Sequence, residues 1–501
     1  MKVFHIVGNS LKVTLVTVLI LLLLPLAALL LLTPVNATSP CPTGLAASKT
    51  LTADCTGTIY IAANGVTLNC NSFTVSGPGT FGVEVAERLH VTVENCKITG
   101  FTEGLYVAGT NSSTFKNNNA TANTLYGVYV TLNKTATGSS KSNTFSGNVA
   151  KSNDEGFFIR GSYGNALTSN AANSNGDNGF YFYESNGNTL TSNTANSNSD
   201  GFDVQDSTGN TLTSNTATSN TGRGFIFYES NGNTLKSNTA NLNSIGFYIT
   251  DSYGNTLTSN TANSNGDNGF DIYEAYGNTI KSNTANSNNY NGFFIQYSNG
   301  NTLTSNTANS NDYGFYTSET NGNALTSNTA NSNTNLGFYI YESNGNTLTS
   351  NTANSNPNAG FEIQYSDGDT LTSNTATLNG DGFVIYNSFG NTLKSNTANR
   401  NIYGFYIYFS YGNTLTSNSA TSNTDNGFEL LAPPPASSAY NTLNGNSAKS
   451  NGHDGFLFDS TSSGNWVVSN TASGNANYDA EQAPGANNFF VTNSFTHTSG
   501  I

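Results

Sequence analysis

Charge is scarce in this chain, and positive charge is scarcest. Only 9% of the 501 residues are charged, 16 Lys plus Arg against 30 Asp plus Glu, for a formal net charge of −14. So few cations exclude a nucleic-acid binder, because neutralising phosphates takes Lys and Arg. Histidine (four), methionine (one) and tryptophan (one) are also nearly absent. Cysteine is confined to Cys41, Cys55, Cys70 and Cys96, with no C-x-x-C spacing, which argues against metal binding by thiolates. No Walker-type loop, Ser-His-Asp motif or D-P-H-D motif occurs.

What is present is a repeat, close to G-F-x-I-x-x-S-x-G-N-T-L-T-S-N-T-A-N-S-N-x-x. Its Gly-Phe step recurs from Gly156 through Gly179 and Gly201 to Gly427, always 22 or 23 residues on. Weaker copies stand at Gly82-Val83, Gly104-Leu105 and Gly127-Val128, and a last one at Gly455-Phe456. A fixed short period marks a solenoid. Within a block, Phe180 and Phe182 share one face while Tyr181 and Tyr183 share the other, and Leu190 points opposite to Thr189 and Thr191. That period of two means strand. Ala195 and Ser197 are expected inward on a third segment, with Gly, Asn and Ser between segments as turn formers. Helix is disfavoured because Gly, Asn, Thr and Ser dominate. One leucine per block excludes a leucine-rich repeat.

The expected fold is all-β: a single-stranded right-handed parallel β-helix, three short strands per 22–23-residue coil, about 17–19 coils. At about 4.8 Å per coil the rod is roughly 80–90 Å long. The asparagines at 170, 193, 215 and onward to 396, just after the leucine strand, are expected to stack as a hydrogen-bonded ladder. Two coils are longer, with extra residues at 134–142 and 431–440, the latter holding Pro433, Pro434 and Pro435.

Residues 13–32 are apolar, follow Lys2 and Lys12, and precede Val35-Asn36-Ala37, the pattern of a secretory signal. The run is also about the 20 residues that span a bilayer, so an uncleaved anchor is the alternative and the only expected membrane contact. The divisions are 1–37 for the signal or anchor, 38–100 for a disulfide-closed cap and first coils, 101–465 for regular repeats and 466–501 for the C-terminal coil and cap. An even number of cysteines in an exported chain suggests disulfides. Of three pairings, Cys41–Cys55 with Cys70–Cys96 is favoured, because Cys70 and Cys96 hold similar places one coil apart.

Gly65-Val-Thr-Leu-Asn-Cys70-Asn, His90-Val-Thr-Val-Glu-Asn-Cys96 and the G-N-T-L-x-x-N blocks resemble the NosD-like and pectate-lyase-like superfamily of right-handed parallel β-helices. The resemblance covers roughly residues 41–500. It implies copper-site maturation, polysaccharide cleavage, epimerisation or adhesion. Copper maturation fits the composition badly, since copper sites want His, Met or thiolate Cys.

Three surface rows stand out. The first is aromatic: Tyr183, Tyr228, Tyr273, Tyr341, Tyr386 and Tyr408, with Tyr181, Tyr248, Tyr316, Tyr339 and Tyr406 two positions earlier. Exposed tyrosine rings suit stacking on sugars; the competing reading is cross-strand stabilisation. The second is acidic: Glu184, Asp206, Glu229, Asp251, Glu274, Glu319 and Glu342, directly after that strand and expected in its turn. Oxygen ligands in a row suit Ca²⁺, the one cofactor expected, if any; solvated turn carboxylates are the alternative. The third is a Thr-x-Thr row such as Thr189/Thr191 and Thr211/Thr213, which resembles ice-binding arrays but is interrupted by Lys236, Lys281 and Lys394.

The expected function is a secreted or surface-tethered rod (periplasmic in a two-membrane bacterium), carbohydrate-binding or adhesive, that engages extracellular polysaccharide or cell-surface glycan without cleaving it. The enzymatic alternative is a polysaccharide lyase or hydrolase near the Pro433–Pro435 loop. There Asn423-Thr424-Asp425 and Gly452-His453-Asp454 faintly resemble polygalacturonase motifs, although the adjacent Asp pair and later R-I-K are missing. Its acid/base candidates are Asp425, His453, Asp454 and Asp459.

Overall fold

The computed structural model describes residues 39–501 apart from 134, 136–137 and 433–436. The signal or anchor segment and the three prolines lie outside the described residues. The described chain is a right-handed parallel β-helix of about 19 turns, with no helix. A typical coil carries a long strand (Asn178–Tyr183), a leucine strand (Thr189–Thr191) and an alanine strand (Thr194–Asn196). Each pairs in parallel with its counterpart one coil on, Phe180 with Phe202, Leu190 with Leu212 and Ala195 with Ala217. The first two strand types build sheets of twenty strands each.

Register follows from what must be buried. Phe180, Phe182, Leu190 and Ala195 are buried and define the core's repeating cross-section. The phenylalanines stack along the axis with ring centres 4.8 Å apart from Phe180 to Phe202, and the stack runs unbroken from Phe157 to Phe456. Gly179, second in the long strand, must be glycine because a β-carbon there would lie 2.7 Å from the Gly201 carbonyl oxygen and 2.8 Å from the Ala195 β-carbon. The alanine strand and the glycine corner therefore require each other.

The expected asparagine ladder is present. Asn193 Nδ2 donates to Asn215 Oδ1 at 3.0 Å and to the Leu167 carbonyl at 2.9 Å, and Asn215 Oδ1 also accepts the Asn193 backbone N–H. The same bonding recurs at two further corners, Asn188 to Asn210 and Asn198 to Asn220. Serine caps a fourth corner, where Ser207 Oγ accepts the Ser185 N–H. These corner asparagines are thus more than tolerant turn formers: they satisfy backbone groups that bending each coil leaves unpaired inside. Ser197 departs from expectation. It is exposed with φ +58°, and Asn198 takes the inward place. An alanine–x–serine alternation would have continued the strand, but the chain turns here and the ladder needs an amide.

The ends are closed differently. Cys41–Cys55 and Cys70–Cys96 are disulfides. At the other end, Phe495 and Phe490 pack on Phe456 and Phe458 of the core. Both long coils leave and rejoin the ladder without disturbing it: Ser140 Oγ donates to the Thr131 carbonyl across one insertion and Ser438 Oγ to the Leu431 carbonyl across the other.

Candidate functional site

The outer face of the long-strand sheet carries the chemistry. The tyrosines expected to point outward do so. Tyr181, Tyr248, Tyr316, Tyr339 and Tyr406 form a half-buried middle row, and Tyr183, Tyr228, Tyr273, Tyr341, Tyr386 and Tyr408 form an outer row. Within the rows Tyr316 stacks on Tyr339 at 4.9 Å and Tyr386 on Tyr408 at 5.3 Å; between them Tyr339 meets Tyr341 at 5.7 Å. The middle row also extends toward the N-terminus through Phe158, Tyr129 and Tyr106. The Gly-x-aromatic spacing of the weaker repeats carried that signal.

The seven acidic residues sit in the turn after this strand. All have left-handed backbone, from φ +47° at Glu229 to +52° at Glu319. The strand ends one residue earlier, so their side chains leave the core. Several are tied to neighbouring hydroxyls: Thr250 Oγ1 donates to Asp251 Oδ2 and Tyr297 Oη to Glu319 Oε1 at 2.9 Å. Hydrogen bonding to Glu229 and Glu342 raises the phenols of Tyr228 and Tyr341 to about 12.

Sequence reasoning missed one feature of this face. The aromatic middle row is interrupted after Tyr181, where the next coil places Asp203 in the position of a ring. Ile226 and Tyr248 follow in the next two coils. The missing ring leaves a cavity of about 560 Å³, whose lining includes Glu155, Asp177, Asp200, Asp203, Arg223 and Tyr181. Asp203 is 5% exposed. Gln205 Nε2 donates to its Oδ2 at 2.9 Å, and Tyr181 Oη donates to Gln205 Oε1 at 3.1 Å. Arg223 lies with its guanidinium 4.7 Å above the Tyr248 ring, and its backbone N–H donates to Asp200 Oδ1. Burial pushes the Asp203 carboxyl up to about 7 and the Glu155 carboxyl up to about 8. Burial also raises Asp177, with Asp200 and Asp154 adding repulsion. Asp203 and Glu155 so shifted hold protons near neutral pH. The readable signal was an acid in an aromatic register, and Asp271, Glu362 and Glu429 repeat it farther along.

The expected acid/base candidates lie near the C-terminal end. His453 stacks its backbone on that of Asp425, one coil away. Its Nδ1 lies 2.9 Å from Asp454 Oδ2. Asp454 is buried, and its Oδ1 accepts from Asn477 Nδ2 and the Tyr478 N–H. Asp459 Oδ1 accepts from the Thr461 N–H and from the hydroxyls of Thr461 and Ser462, the bonding of a turn. The structure therefore joins the His453 and Asp454 side chains and ties Asp425 to His453 through the backbone, while Asp459 closes a separate turn. The Thr-x-Thr rows are in register, Thr189 beside Thr211 and Thr191 beside Thr213, until Lys236 follows Thr213.

Residues 131–265, 252–375 and 337–500 match the family described as periplasmic copper-binding protein (NosD). The chain belongs to the NosD family. Residues 50–195 also match the right handed beta helix region family. No curated protein matches this NosD-family chain. Among solved structures it is similar to the periplasmic alginate epimerase AlgG, with 15% identity over 77% of each chain and a TM-score of 0.26. It is also similar to the catalytic domain of a GH87 α-1,3-glucanase (12% identity, 79% of this chain, 65% of that one, TM-score 0.35). A third is PfbA, a surface adhesin of Streptococcus pneumoniae (10% identity, 61% of this chain, 84% of that one, TM-score 0.30).

The description of the NosD family raises copper, and the donor set can be tested against it. Copper is held by imidazole, thioether or thiolate. All four cysteines are spent in disulfides. The described histidines are His90, His453 and His497, and among the described residues no three His, Cys, Asp or Glu side chains are grouped to hold a metal. The described part of this NosD-family member does not fit a resident copper.

Proposed function

We propose that this protein is a non-catalytic polysaccharide-binding rod that acts outside the cytoplasm through the outer face of its long-strand sheet. One observation carries the reading: two parallel rows of tyrosine rings run along that face, in register from coil to coil, as between Tyr386 and Tyr408. Rings with an apolar face and a polar tip stack on sugar rings and hydrogen-bond at their edge. A polymer lying along the rod would meet tyrosine rings again and again along its length, which suits retention rather than cleavage at one bond. The two disulfides support an oxidising compartment.

A panel of immobilised polysaccharides tests this, scored for retention of the protein and for new reducing or unsaturated ends. Retention without new ends is expected. Replacing Tyr228, Tyr273 and Tyr341 together by Ala is expected to weaken retention at least tenfold. Binding unchanged in that triple variant would remove the tyrosine face from consideration. Release of new ends would transfer the function to the enzymatic alternative, with His453→Ala and Asp454→Ala as its first variants.

A further inference from the structure

The cavity at Asp203 leaves part of its acceptor set unmatched by the donors that line it. Three buried side-chain oxygens that line it have no partner: Glu155 Oε2, Asn178 Oδ1 and Asp203 Oδ1. All three are acceptors. Five acidic side chains line the space, Glu155, Asp177, Asp200, Asp203 and Asp251, against the single cation Arg223. That cation is already engaged with the Tyr248 ring. A buried unpaired acceptor costs stability, and a set of them facing one space is tolerated where something else supplies the donors.

The missing partner must be rich in N–H or O–H and, to offset the acids, positive. An ammonium group meets both needs, with three donors and no acceptor. A hydroxyl meets only the first. A uronate or sulfate would add negative charge to a site lined by five acidic side chains, and like charges in a partly buried site repel strongly. A bare divalent cation is disfavoured by geometry, since among the described residues no three acids are grouped to coordinate one. The walls supply the second half of the specificity. Tyr181, Tyr228, Tyr248 and Tyr273 all border the cavity, so an ammonium attached to a flat-faced ring would find aromatic surface beside the acids.

Resting on the polysaccharide-binding reading, we infer that the Glu155–Asp203 cavity is a subsite for an amino sugar carrying a free ammonium, so that the preferred polymer is a glucosamine-type glycan. The ammonium would donate to Asp203 Oδ1 and Glu155 Oε2 while the sugar ring packs against the tyrosines. Both carboxyls hold protons near neutral pH through burial, with Asp200 and Asp177 nearby and Arg223 opposing at Asp203. Taking up an ammonium therefore releases protons to the buffer.

Isothermal titration of the full chain compares four probes: a β-1,4-linked glucosamine hexamer, its N-acetylated counterpart, a hexauronate and spermine. The expected order places the glucosamine hexamer at least tenfold ahead of the other three. Its binding heat should change with the ionisation heat of the buffer. Asp203→Asn with Glu155→Gln should lower its affinity at least tenfold while changing binding of the N-acetylated hexamer less than twofold. These substitutions nearly keep size and remove charge, and circular dichroism checks that the fold is retained. Equal binding of the acetylated or uronate hexamer, or an unchanged double variant, overturns the subsite. Spermine binding as tightly as the sugar overturns the sugar assignment. If neutral glycans bind as tightly as the glucosamine hexamer and the tyrosine triple variant loses them, this inference fails while the polysaccharide reading stands. If no oligosaccharide or polysaccharide binds at all, both fail.

Discussion

Asp369 Oδ1 accepts both the backbone N–H of Asn346, at 2.6 Å, and its Nδ2, at 3.2 Å. Asp369 stands where every neighbouring coil has asparagine, between Asn346 and Asn391. An asparagine there would donate onward, as Asn391 Nδ2 does to the Ser366 carbonyl. Asp369 Oδ2 is instead buried without a partner. Burial pushes this carboxyl up to about 7, against hydrogen bonds from Asn346 that hold it down.

Asp369→Asn is therefore expected to stabilise the rod at pH 8 by about 1–3 kcal/mol, the scale of one buried polar group regaining its partners. The gain should shrink at pH 5, where Asp369 is protonated and can itself donate. Denaturant melts at the two pH values check this. Equal stability of variant and parent at pH 8 would show that the ladder tolerates an ionised member.

The whole rod should be more stable in mild acid than in mild base. Burial raises Glu155 from 4.5 to about 8 and Glu103 and Glu362 from 4.5 to about 7. It raises Asp203 from 3.8 to about 7 and Asp271 and Asp381 from 3.8 to about 6. A group raised on folding binds its proton more tightly in the folded state. Its contribution is complete below its unfolded value and is lost as pH rises through its folded value. Stability should thus fall between about pH 4 and pH 8. Asp479, desolvated yet held below its usual range by bonds from Thr496, Asn475 and His497, has the opposite sign and matters only at lower pH. Thermal melts from pH 4.5 to 8.5 report the trend, and a midpoint that rises with pH contradicts it.

Asn193→Ala should cost about 3–5 kcal/mol, because it strips the acceptor from Asn170 and leaves Asn215 and the Leu167 carbonyl short of a donor. Thr191→Ala, on the outer face of the same coil, should change stability by about 0.5 kcal/mol or less. Limited proteolysis and thermal melting of the two variants give the comparison. Similar effects would mean that the ladder contributes no more than exposed threonine.

Two glycines of the repeat should behave differently. A β-carbon at Gly201 would lie 2.4 Å from the Gly224 carbonyl oxygen and 2.7 Å from the Ala217 β-carbon, whereas one at Gly209, at φ +64°, meets nothing within 4 Å. Gly209→Ala should cost about 1 kcal/mol for left-handed backbone alone. Gly201→Ala forces two coils apart and should yield little folded protein. Comparable soluble yields and melting points would contradict this account.

Much of this was legible in the residues. A period of 22 or 23 with alternating Phe, Leu and Ala dictates stacked parallel strands, since one coil cannot bury its own inner face. The Asn193 ladder followed from the same period. The parallel ladders through Asn188 and Asn198 were equally periodic but looked like turn residues, because sequence does not show that a corner's backbone groups face inward. Ser197 was misplaced for the same reason. The tyrosine rows and the turn position of Glu184 and its kin followed from strict alternation.

The Asp203 cavity was not legible as a site. Glu155, Asp177, Asp200, Asp203 and Arg223 are spread over 69 residue positions and lack any shared motif. Stacking successive coils about 4.8 Å apart brings them around one space. The sequence by itself determined the coil, its inward rows and its outward tyrosines, because these depend on side-chain alternation within one repeat. Tertiary structure alone decided which acids lose water and which acceptors go unpaired, because desolvation depends on neighbours contributed by other coils.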